Sequence, residues 1–144
     1  MENERILKIG VVGLIRGASV ASRAFQHKSA RVTAVCDIDA ARVAEVQKQF
    51  AEQGHQAEGF TDFDEFLARG DFEAVIVANY ATQHVPMVVK CLEAGKHVLS
   101  EVPAINSVEE VEILRRAVAK HPDQKYMLAE NCNYWAFVTN TKGQ

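Results

Sequence analysis

A glycine turn and a carboxylate follow one another near the start of the chain. The apolar run Ile6-Leu-Lys-Ile-Gly-Val-Val-Gly13 ends on a glycine, and the run Arg31-Val-Thr-Ala-Val-Cys-Asp37 ends on an acid. Glycine lets the backbone turn sharply and approach a phosphate, and a helix that follows offers unpaired N–H groups to that anion. A carboxylate at the end of the second run accepts hydrogen bonds from ribose hydroxyl groups. Together these features predict a dinucleotide site.

The spacing fits a dinucleotide motif, although the glycine pattern is incomplete. Asp37 lies 24 residues after Gly13, near the ~20 residues of the usual motif. If Gly13 is the first glycine of G-x-G-x-x-G/A, Ala18 takes the third place and Ile15 stands at the second. A β-branched side chain there holds the cofactor farther from the backbone or changes the turn. We expect Gly17 to restore the lost backbone freedom.

Each of these residues also has a purely structural explanation. The glycine turn fits an ordinary connection between a strand and a helix. Arg16, in the same turn, either meets a phosphate or is a solvated loop arginine. Asp37 either binds ribose or caps a helix, and Asp39 is better explained as a cap. The order of strand, glycine turn, helix and strand with a terminal acid favours the nucleotide interpretation.

The composition is that of an ordinary globular domain. The 144 residues are 48% apolar and 24% charged, with a net charge of −3, so a sizeable core is expected and a nucleic-acid partner is not. No apolar run approaches the ~18 residues of a membrane span, and the N-terminus does not resemble a signal peptide. Three cysteines and five histidines lack metal-ligand spacing, so we expect no metal. Buried thiols in a reducing cytoplasm are the simplest interpretation.

Hydrophobic periodicity predicts that strands and helices alternate along the chain. Because right-handed crossovers leave few other topologies, we predict an α/β fold with a doubly wound, mostly parallel sheet of the Rossmann type, about six strands and helices on both faces. In the helix that follows the Ser107–Glu110 capping box, the inward stripe is Val111, Leu114, Ala117 and Val118. Other helices are expected from Asp39 to Gly54, from Thr61 to near Gly70 and over 83–94, and other strands over 72–78, 97–100 and 125–129.

Three later segments resemble one protein family. They are Val75-Ile-Val-Ala-Asn-Tyr-Ala-Thr-Gln-His84, Cys91-Leu-Glu-Ala-Gly-Lys-His-Val-Leu-Ser-Glu-Val-Pro103 and Leu128-Ala-Glu-Asn131. The second segment is much more specific than the glycine turn. Over essentially its whole length the chain resembles the N-terminal half of the Gfo/Idh/MocA oxidoreductases, which include glucose–fructose oxidoreductase and inositol 2-dehydrogenase relatives.

This resemblance implies a reaction class and a set of cofactor contacts. Family members use NAD or NADP to oxidise or reduce a carbinol of a sugar, polyol or related compound. Some run a redox-neutral cycle on glycosides, and a few are non-catalytic regulators. The resemblance places Asn79, His84 and Glu101 near the ribose and nicotinamide, and Pro103 at the pocket. The expected cofactor-binding residues are Gly13, Ile15, Arg16, Gly17, Ala18, Asp37, Asn79, His84, Glu101 and Pro103.

Two departures from the family pattern leave the catalytic residues unassigned. The family triplet is Glu-Lys-Pro, and its lysine positions nicotinamide and substrate and takes part in proton transfer. Here the triplet is Glu101-Val102-Pro103, and valine has no group that titrates or donates a hydrogen bond. The family proline after the fourth strand is replaced by Tyr80.

The family resemblance also implies a second domain that supplies most of the substrate pocket. We therefore expect a dinucleotide-binding domain over 1–130 and a crossover segment over 131–144 that leads toward a domain absent from this chain. Apolar residues crowd this segment, among them Tyr134, Trp135 and Phe137. They either pack as core or form a surface for a partner, and we expect a homo-oligomer through this segment.

The leading hypothesis is an NAD-binding domain, with NADP as the alternative cofactor, of an oxidoreductase that acts on a sugar-like substrate. The domain alone is expected to be inactive. The alternative is a non-catalytic dinucleotide-sensing or regulatory protein of the same fold, which Val102 favours. An S-adenosylmethionine methyltransferase shares the glycine turn and the acid, but the segment from Cys91 to Pro103 has no place in that family.

Overall fold

The computed structural model describes residues 5–131 and contains one six-stranded sheet. All neighbouring strands are parallel, and their spatial order is β3-β2-β1-β4-β5-β6. The order reverses beside β1, which is where sheets of this kind bind ligands. The strands are β1 (Leu7–Val12), β2 (Ala30–Cys36), β3 (Glu58–Phe60), β4 (Ala74–Val77), β5 (His97–Ser100) and β6 (Tyr126–Leu128).

Helices cover both faces of the sheet, as predicted. The side chains of β1, β2 and β4 alternate between two buried clusters, one formed with α1 and α2 and the other with α3, α4 and α5. In β4, for example, Ile76 belongs to the first cluster and Val75 and Val77 to the second. The helices are α1 (Leu14–Ala24), α2 (Ala40–Glu52), α3 (Phe63–Arg69), α4 (His84–Glu93) and α5 (Val108–Lys120), and a 3-10 turn (Ala81–Gln83) precedes α4.

Helix capping largely follows the sequence. Asp39 accepts hydrogen bonds from the backbone N–H groups of Ala41 and Arg42, so its assignment as the cap of α2 is confirmed. Ser107 caps α5 by accepting from the N–H of Glu110. The prediction that Thr61 opens α3 is wrong by one residue, because the carboxylate of Asp62 caps the helix by accepting from the N–H of Glu65.

Two further expectations are corrected in the part of the chain that the structure describes. The sequence reading assigned no strand to Glu58–Phe60, which pairs with β2 along three residues at the edge of the sheet. This strand has three residues, of which only Phe60 is buried. It is therefore too short to show a periodic pattern of apolar residues. Val111 was expected to face inward on α5, yet its side chain is 45% exposed, whereas Ala117 is buried and Leu114 and Val118 pack on the core.

The cysteines within residues 5–131 are structural. Cys36 and Cys91 are free and buried, as expected. Burial raises the pKa of each thiol to about 12, so neither is a nucleophile near neutral pH. Across the described residues there is no group of His, Cys, Asp or Glu side chains able to hold a metal ion. Within the same stretch, no helix combines the length and apolar character needed to span a membrane.

Candidate functional site

A cleft of about 650 Å³ lies at the C-terminal ends of β1, β2 and β4. The polar part of its wall comes from the turn after β1, the acids after β2 and the amide after β4. Five of the residues predicted from the sequence meet here, because parallel strands bring their ends to one edge of a sheet. These five residues are Gly13, Ile15, Arg16, Asp37 and Asn79.

Gly13 forms the floor of the cleft and must be glycine for two reasons. Its φ of 84° lies in the left-handed region, which side chains disfavour. A Cβ atom at this position would also lie 2.3 Å from the backbone N of Asn79 and 2.5 Å from the carbonyl C of Ala78. The missing side chain therefore lets the end of β4 pass directly against the turn.

Helix α1 begins immediately after Gly13 and points its N-terminus into the cleft. The N–H of Gly17 donates to the carbonyl of Gly13 over 2.9 Å, whereas helix geometry leaves the N–H groups of Ile15 and Arg16 without an intrahelical acceptor. Such groups, together with the positive end of the helix dipole, bind anions. The arrangement suits a diphosphate.

Asp37 lies beside this helix end. One carboxylate oxygen accepts from the N–H of Leu14 over 2.8 Å, and the other accepts from the N–H of Asp39 over 3.1 Å. The guanidinium of Arg42 approaches Asp37 to 4.0 Å and Asp39 to 3.8 Å. Each carboxylate oxygen has a second lone pair. Asp37 is therefore a structural cap for α1 whose carboxylate keeps the capacity to accept from ligand hydroxyl groups, and its ribose contact stays a prediction.

The expected role of Gly17 is corrected by the structure. Gly17 is helical and has no positive φ, so it does not restore the backbone freedom that Ile15 removes. It is buried instead, where a Cβ atom would lie 2.7 Å from Cγ1 of Val11, and it lets α1 pack closely on β1. Ala18 packs against the same cluster of the core. These two residues support the cleft from behind rather than line it.

Arg16 and Glu101 form an ion pair at one side of α1. Arg16 belongs to the first turn of the helix rather than to the glycine turn, and its Nε donates to Glu101 over 3.1 Å. Glu101 is buried at the end of β5, whereas the guanidinium is largely exposed. Of the two alternatives for Arg16, the solvated loop arginine is thus replaced by an exposed helical arginine with an ion-pair partner, and the phosphate contact stays a prediction. Glu101 does not line the cleft itself but holds a cation at its edge.

Asn79 places an unsatisfied amide at the end of β4. Its Nδ2 donates to the sulfur of Met87 over 3.0 Å, and its Oδ1 is buried without a hydrogen-bond partner. Sulfur is a weak acceptor, and an unpaired buried oxygen costs free energy. A ligand that reaches this amide would satisfy it.

His84 does not line the cleft, which corrects the expectation of a direct cofactor contact. Only 1% of the residue is exposed. Its Nδ1 lies 2.8 Å from the carbonyl oxygen of Pro103, and its Nε2 lies 3.0 Å from that of Asn79. Pro103 follows a cis peptide bond and is likewise not part of the cleft wall.

Several apolar residues of the cleft were missed by the sequence reading. Ile38 is 88% exposed directly after Asp37, and Tyr80 is 74% exposed directly after Asn79. The signal was available in the order of the residues, since a large apolar side chain just beyond a strand-end polar residue has no core to enter. Phe63 and Met87 complete the apolar wall.

Comparison with known proteins decides the family. The family described as "Oxidoreductase family, NAD-binding Rossmann fold" matches residues 7–129. The chain belongs to the Gfo/Idh/MocA oxidoreductase family. It is an NAD-binding domain of that family, and the predicted fold class and cofactor are confirmed.

Individual relatives give the same result. An alpha-N-acetylgalactosaminidase from Bacteroides fragilis is 33% identical over 141 residues, which cover 94% of this chain and 33% of that protein. A glycosyl hydrolase family 109 protein from Saccharopolyspora erythraea is 31% identical over 92% of this chain and 30% of its own length. The chain thus spans about a third of each curated relative.

A solved structure shows the same architecture with ligands present. The scyllo-inositol dehydrogenase from Lactobacillus casei, with bound NAD(H) and scyllo-inositol, superimposes with a TM-score of 0.87. It is 28% identical over 96% of this chain and 40% of its own chain. This Gfo/Idh/MocA domain therefore corresponds to the cofactor-binding part of a longer dehydrogenase fold.

Proposed function

We propose that the cleft at the ends of β1, β2 and β4 binds NAD, and that the domain serves an oxidoreductase acting on a sugar, polyol or glycoside. The observation that carries the proposal is the meeting of three features in one cleft. These are the side-chain-free floor at Gly13, the open N-terminus of α1 and the carboxylate of Asp37. Domain 1–130 would thus hold the cofactor, and 131–144 would lead toward the substrate domain.

The residues present fit a dinucleotide. The diphosphate would approach the free N–H groups of Ile15 and Arg16 at the start of α1. The ribose hydroxyl groups of the adenosine half would donate hydrogen bonds to the carboxylate of Asp37. The unpaired amide oxygen of Asn79 offers an acceptor for the second half of the cofactor. The charge of Arg16, held in place by Glu101, balances the diphosphate.

The apolar wall suits the adenine ring. Ile38 follows β2 and Tyr80 follows the end of β4, so they lie on the two sides of β1 and line the same cleft. An adenine between them would bury exposed apolar surface, which is favourable by about 25 cal/mol per Å². Tyr80, which replaces the family proline, would thereby contribute to cofactor binding.

When bound in the cleft, NAD would supply the hydride acceptor for a carbinol carbon, and its reduced form would supply the hydride for the reverse reaction. In this chain Val102 offers no proton acceptor beside that reaction, so the proton must be moved by another residue of the full-length protein. The curated relatives are named as glycosidases, and the solved relative is a dehydrogenase of an inositol. Both substrate types carry a secondary carbinol, which is the group that this chemistry requires.

We predict that the 144-residue chain binds NAD but turns over no sugar or polyol. The reason is that the chain covers about a third of its relatives' length and has Val102 in place of the family lysine. Reduced-nicotinamide absorbance of the purified chain with scyllo-inositol and NAD would measure this, and an increase in absorbance would contradict it. In an active full-length protein, Val102→Lys should change the rate or the pH profile.

The full-length protein also distinguishes the two enzyme types from a regulator. A glycosidase that uses a redox-neutral cycle would release nitrophenol from a nitrophenyl α-N-acetylgalactosaminide in the presence of NAD without accumulating reduced nicotinamide. A dehydrogenase would accumulate reduced nicotinamide. Binding of NAD with neither activity would favour the alternative, a non-catalytic dinucleotide sensor, which the valine at position 102 favours.

The C-terminal segment supports a separate prediction, although Cys132, Tyr134, Trp135, Phe137 and Val138 lie outside the described residues. Large exposed apolar patches are uncommon on isolated domains, and the sequence of this segment is rich in apolar residues. We predict that the chain self-associates as a dimer through this segment and that Trp135→Ala yields monomers. Trp135 is the only tryptophan, so its emission should move to longer wavelength on dilution. A monomer in sedimentation, with emission independent of concentration, would contradict the prediction.

We also place the protein in the cytoplasm. The thiols of Cys36 and Cys91 are free and buried, which agrees with a reducing compartment. Fractionation of the source cells, with NAD-binding activity recovered outside the cytoplasm, would contradict this assignment.

A further inference from the structure

The buried imidazole of His84 joins two separate loops of the molecule. One partner is the carbonyl of Asn79, at the end of β4, and the other is the carbonyl of Pro103, after β5. Both are backbone carbonyls that only accept hydrogen bonds. A neutral imidazole, with hydrogen on one ring nitrogen, therefore donates to one of them and packs against the other, whereas a doubly protonated ring donates to both. With 1% of the residue exposed, water cannot replace either link.

The position of Asn79 makes this link relevant to the cleft. On one side, the backbone N of Asn79 packs against Gly13 so closely that a Cβ atom at position 13 would lie only 2.3 Å from it. On the other side, its carbonyl faces the imidazole. The backbone of Asn79 is therefore held between the floor of the cleft and His84, while its side chain, whose Oδ1 has no hydrogen-bond partner, belongs to the cleft wall.

A second contact joins the same two loops. Nδ2 of Asn106, in the loop after β5, donates to the carbonyl of Ala81, in the turn before α4, over 2.6 Å. This contact is exposed, so it contributes less than the buried one. The two contacts together fix the separation of the loops that follow β4 and β5, the strands on which the second mononucleotide half of a dinucleotide rests.

We propose that His84 is a positioning residue for the nicotinamide half of NAD: it holds Asn79 at the cleft by tying the loop after β4 to the loop after β5. This inference rests on the proposed function of the cleft. It predicts an asymmetric effect. Loss of His84 weakens the binding of a ligand that extends beyond the diphosphate, and it leaves unaffected a ligand that ends there.

Two variants and two probes test the proposal. His84→Phe keeps an aromatic ring but has no donor, and His84→Gln retains a donor. Calorimetric titration of the 144-residue chain gives its affinity for NAD, the whole cofactor, and for ADP. ADP is the half of the cofactor that is proposed to contact β1, β2 and the start of α1. We expect His84→Phe to bind NAD about tenfold more weakly, which is the loss of one buried hydrogen bond, and ADP within about twofold of the wild type. His84→Gln should recover part of the NAD affinity.

An NMR measurement separates positioning from folding. In His84→Phe without ligand, the side-chain NH₂ signals of Asn79 should shift, while those of Asn106 should change less. Unaltered NAD affinity in His84→Phe would overturn the proposal. An equal loss of NAD and ADP affinity would also overturn it, because that result indicates general destabilisation. If the wild type binds neither NAD nor ADP, the proposed function of the cleft fails, and this inference fails with it.

Discussion

Replacing Gly13 with alanine is expected to abolish NAD binding and to destabilise the domain. The backbone at Gly13 has a φ of 84°, and the new Cβ would lie 2.3 Å from the N of Asn79. No real Cβ contact is that short, so β4 or the start of α1 must move. The strained backbone conformation and the steric overlap together should lower the free energy of unfolding by about 2–4 kcal/mol. Affinity for NAD should fall by at least about a hundredfold, because the shifted backbone is the floor of the cleft.

Gly54 provides a matched control for this experiment. It also has a positive φ, 80°, but a Cβ atom there would meet nothing within 4 Å. Gly54→Ala should therefore cost only about 1 kcal/mol of conformational strain and leave NAD affinity unchanged. Chemical denaturation and calorimetric titration of both variants measure the two effects. Equal behaviour of the two alanine variants would show that close packing at Gly13 is not required.

Asp37 is expected to determine the choice between NAD and NADP. In the proposed binding mode its carboxylate would lie beside the 2′-phosphate of NADP, and like charges at close range repel. We expect the wild type to prefer NAD by at least about tenfold, or ~1.4 kcal/mol. Asp37→Ala should remove that preference. It should also cost about 1 kcal/mol of stability, because the N–H of Leu14 loses its acceptor at 2.8 Å.

Arg42 refines the specificity experiment. It approaches both Asp37 and Asp39, and once Asp37 is gone its guanidinium is free to pair with a 2′-phosphate. Arg42→Ala in the Asp37→Ala background should therefore reduce NADP affinity and leave NAD affinity nearly unchanged. Asp71→Asn is the control, because this exposed acid pairs with Lys8 and does not line the cleft. Tighter binding of NADP than of NAD by the wild type would contradict the assignment of Asp37.

The fold was largely predictable, because its signals are local or periodic. Runs of apolar residues identified β1, β2, β4 and β5, and capping side chains such as Asp39 and Ser107 marked the helix starts. The edge strand Glu58–Phe60 has only three residues, too few to produce a pattern. The exposure of Val111 depends on which part of α5 the sheet covers, and the apolar stripe of a helix does not contain that information.

The site was predictable only at positions where the backbone determines the role. Gly13 and Asp37 were identified from their place at strand ends, and both lie in the cleft. His84, Glu101 and Gly17 were assigned to the cofactor, yet they contact other protein groups. Those contacts join residues far apart in the sequence, such as His84 and Pro103, and become visible only when the loops are placed. Ile38 and Tyr80 were missed although each directly follows a polar residue at a strand end, where a large apolar side chain has no core to enter.

The most direct test of the account is an NMR titration of the 144-residue chain with NAD, accompanied by calorimetry. We predict a single site with a dissociation constant below about 1 mM. The largest amide shifts should occur at Gly13, Ile15, Arg16 and Asn79, with smaller changes along the N-terminal edge of the sheet. A folded chain that shows no binding at millimolar NAD would contradict the account. So would saturable shifts confined to residues outside the cleft.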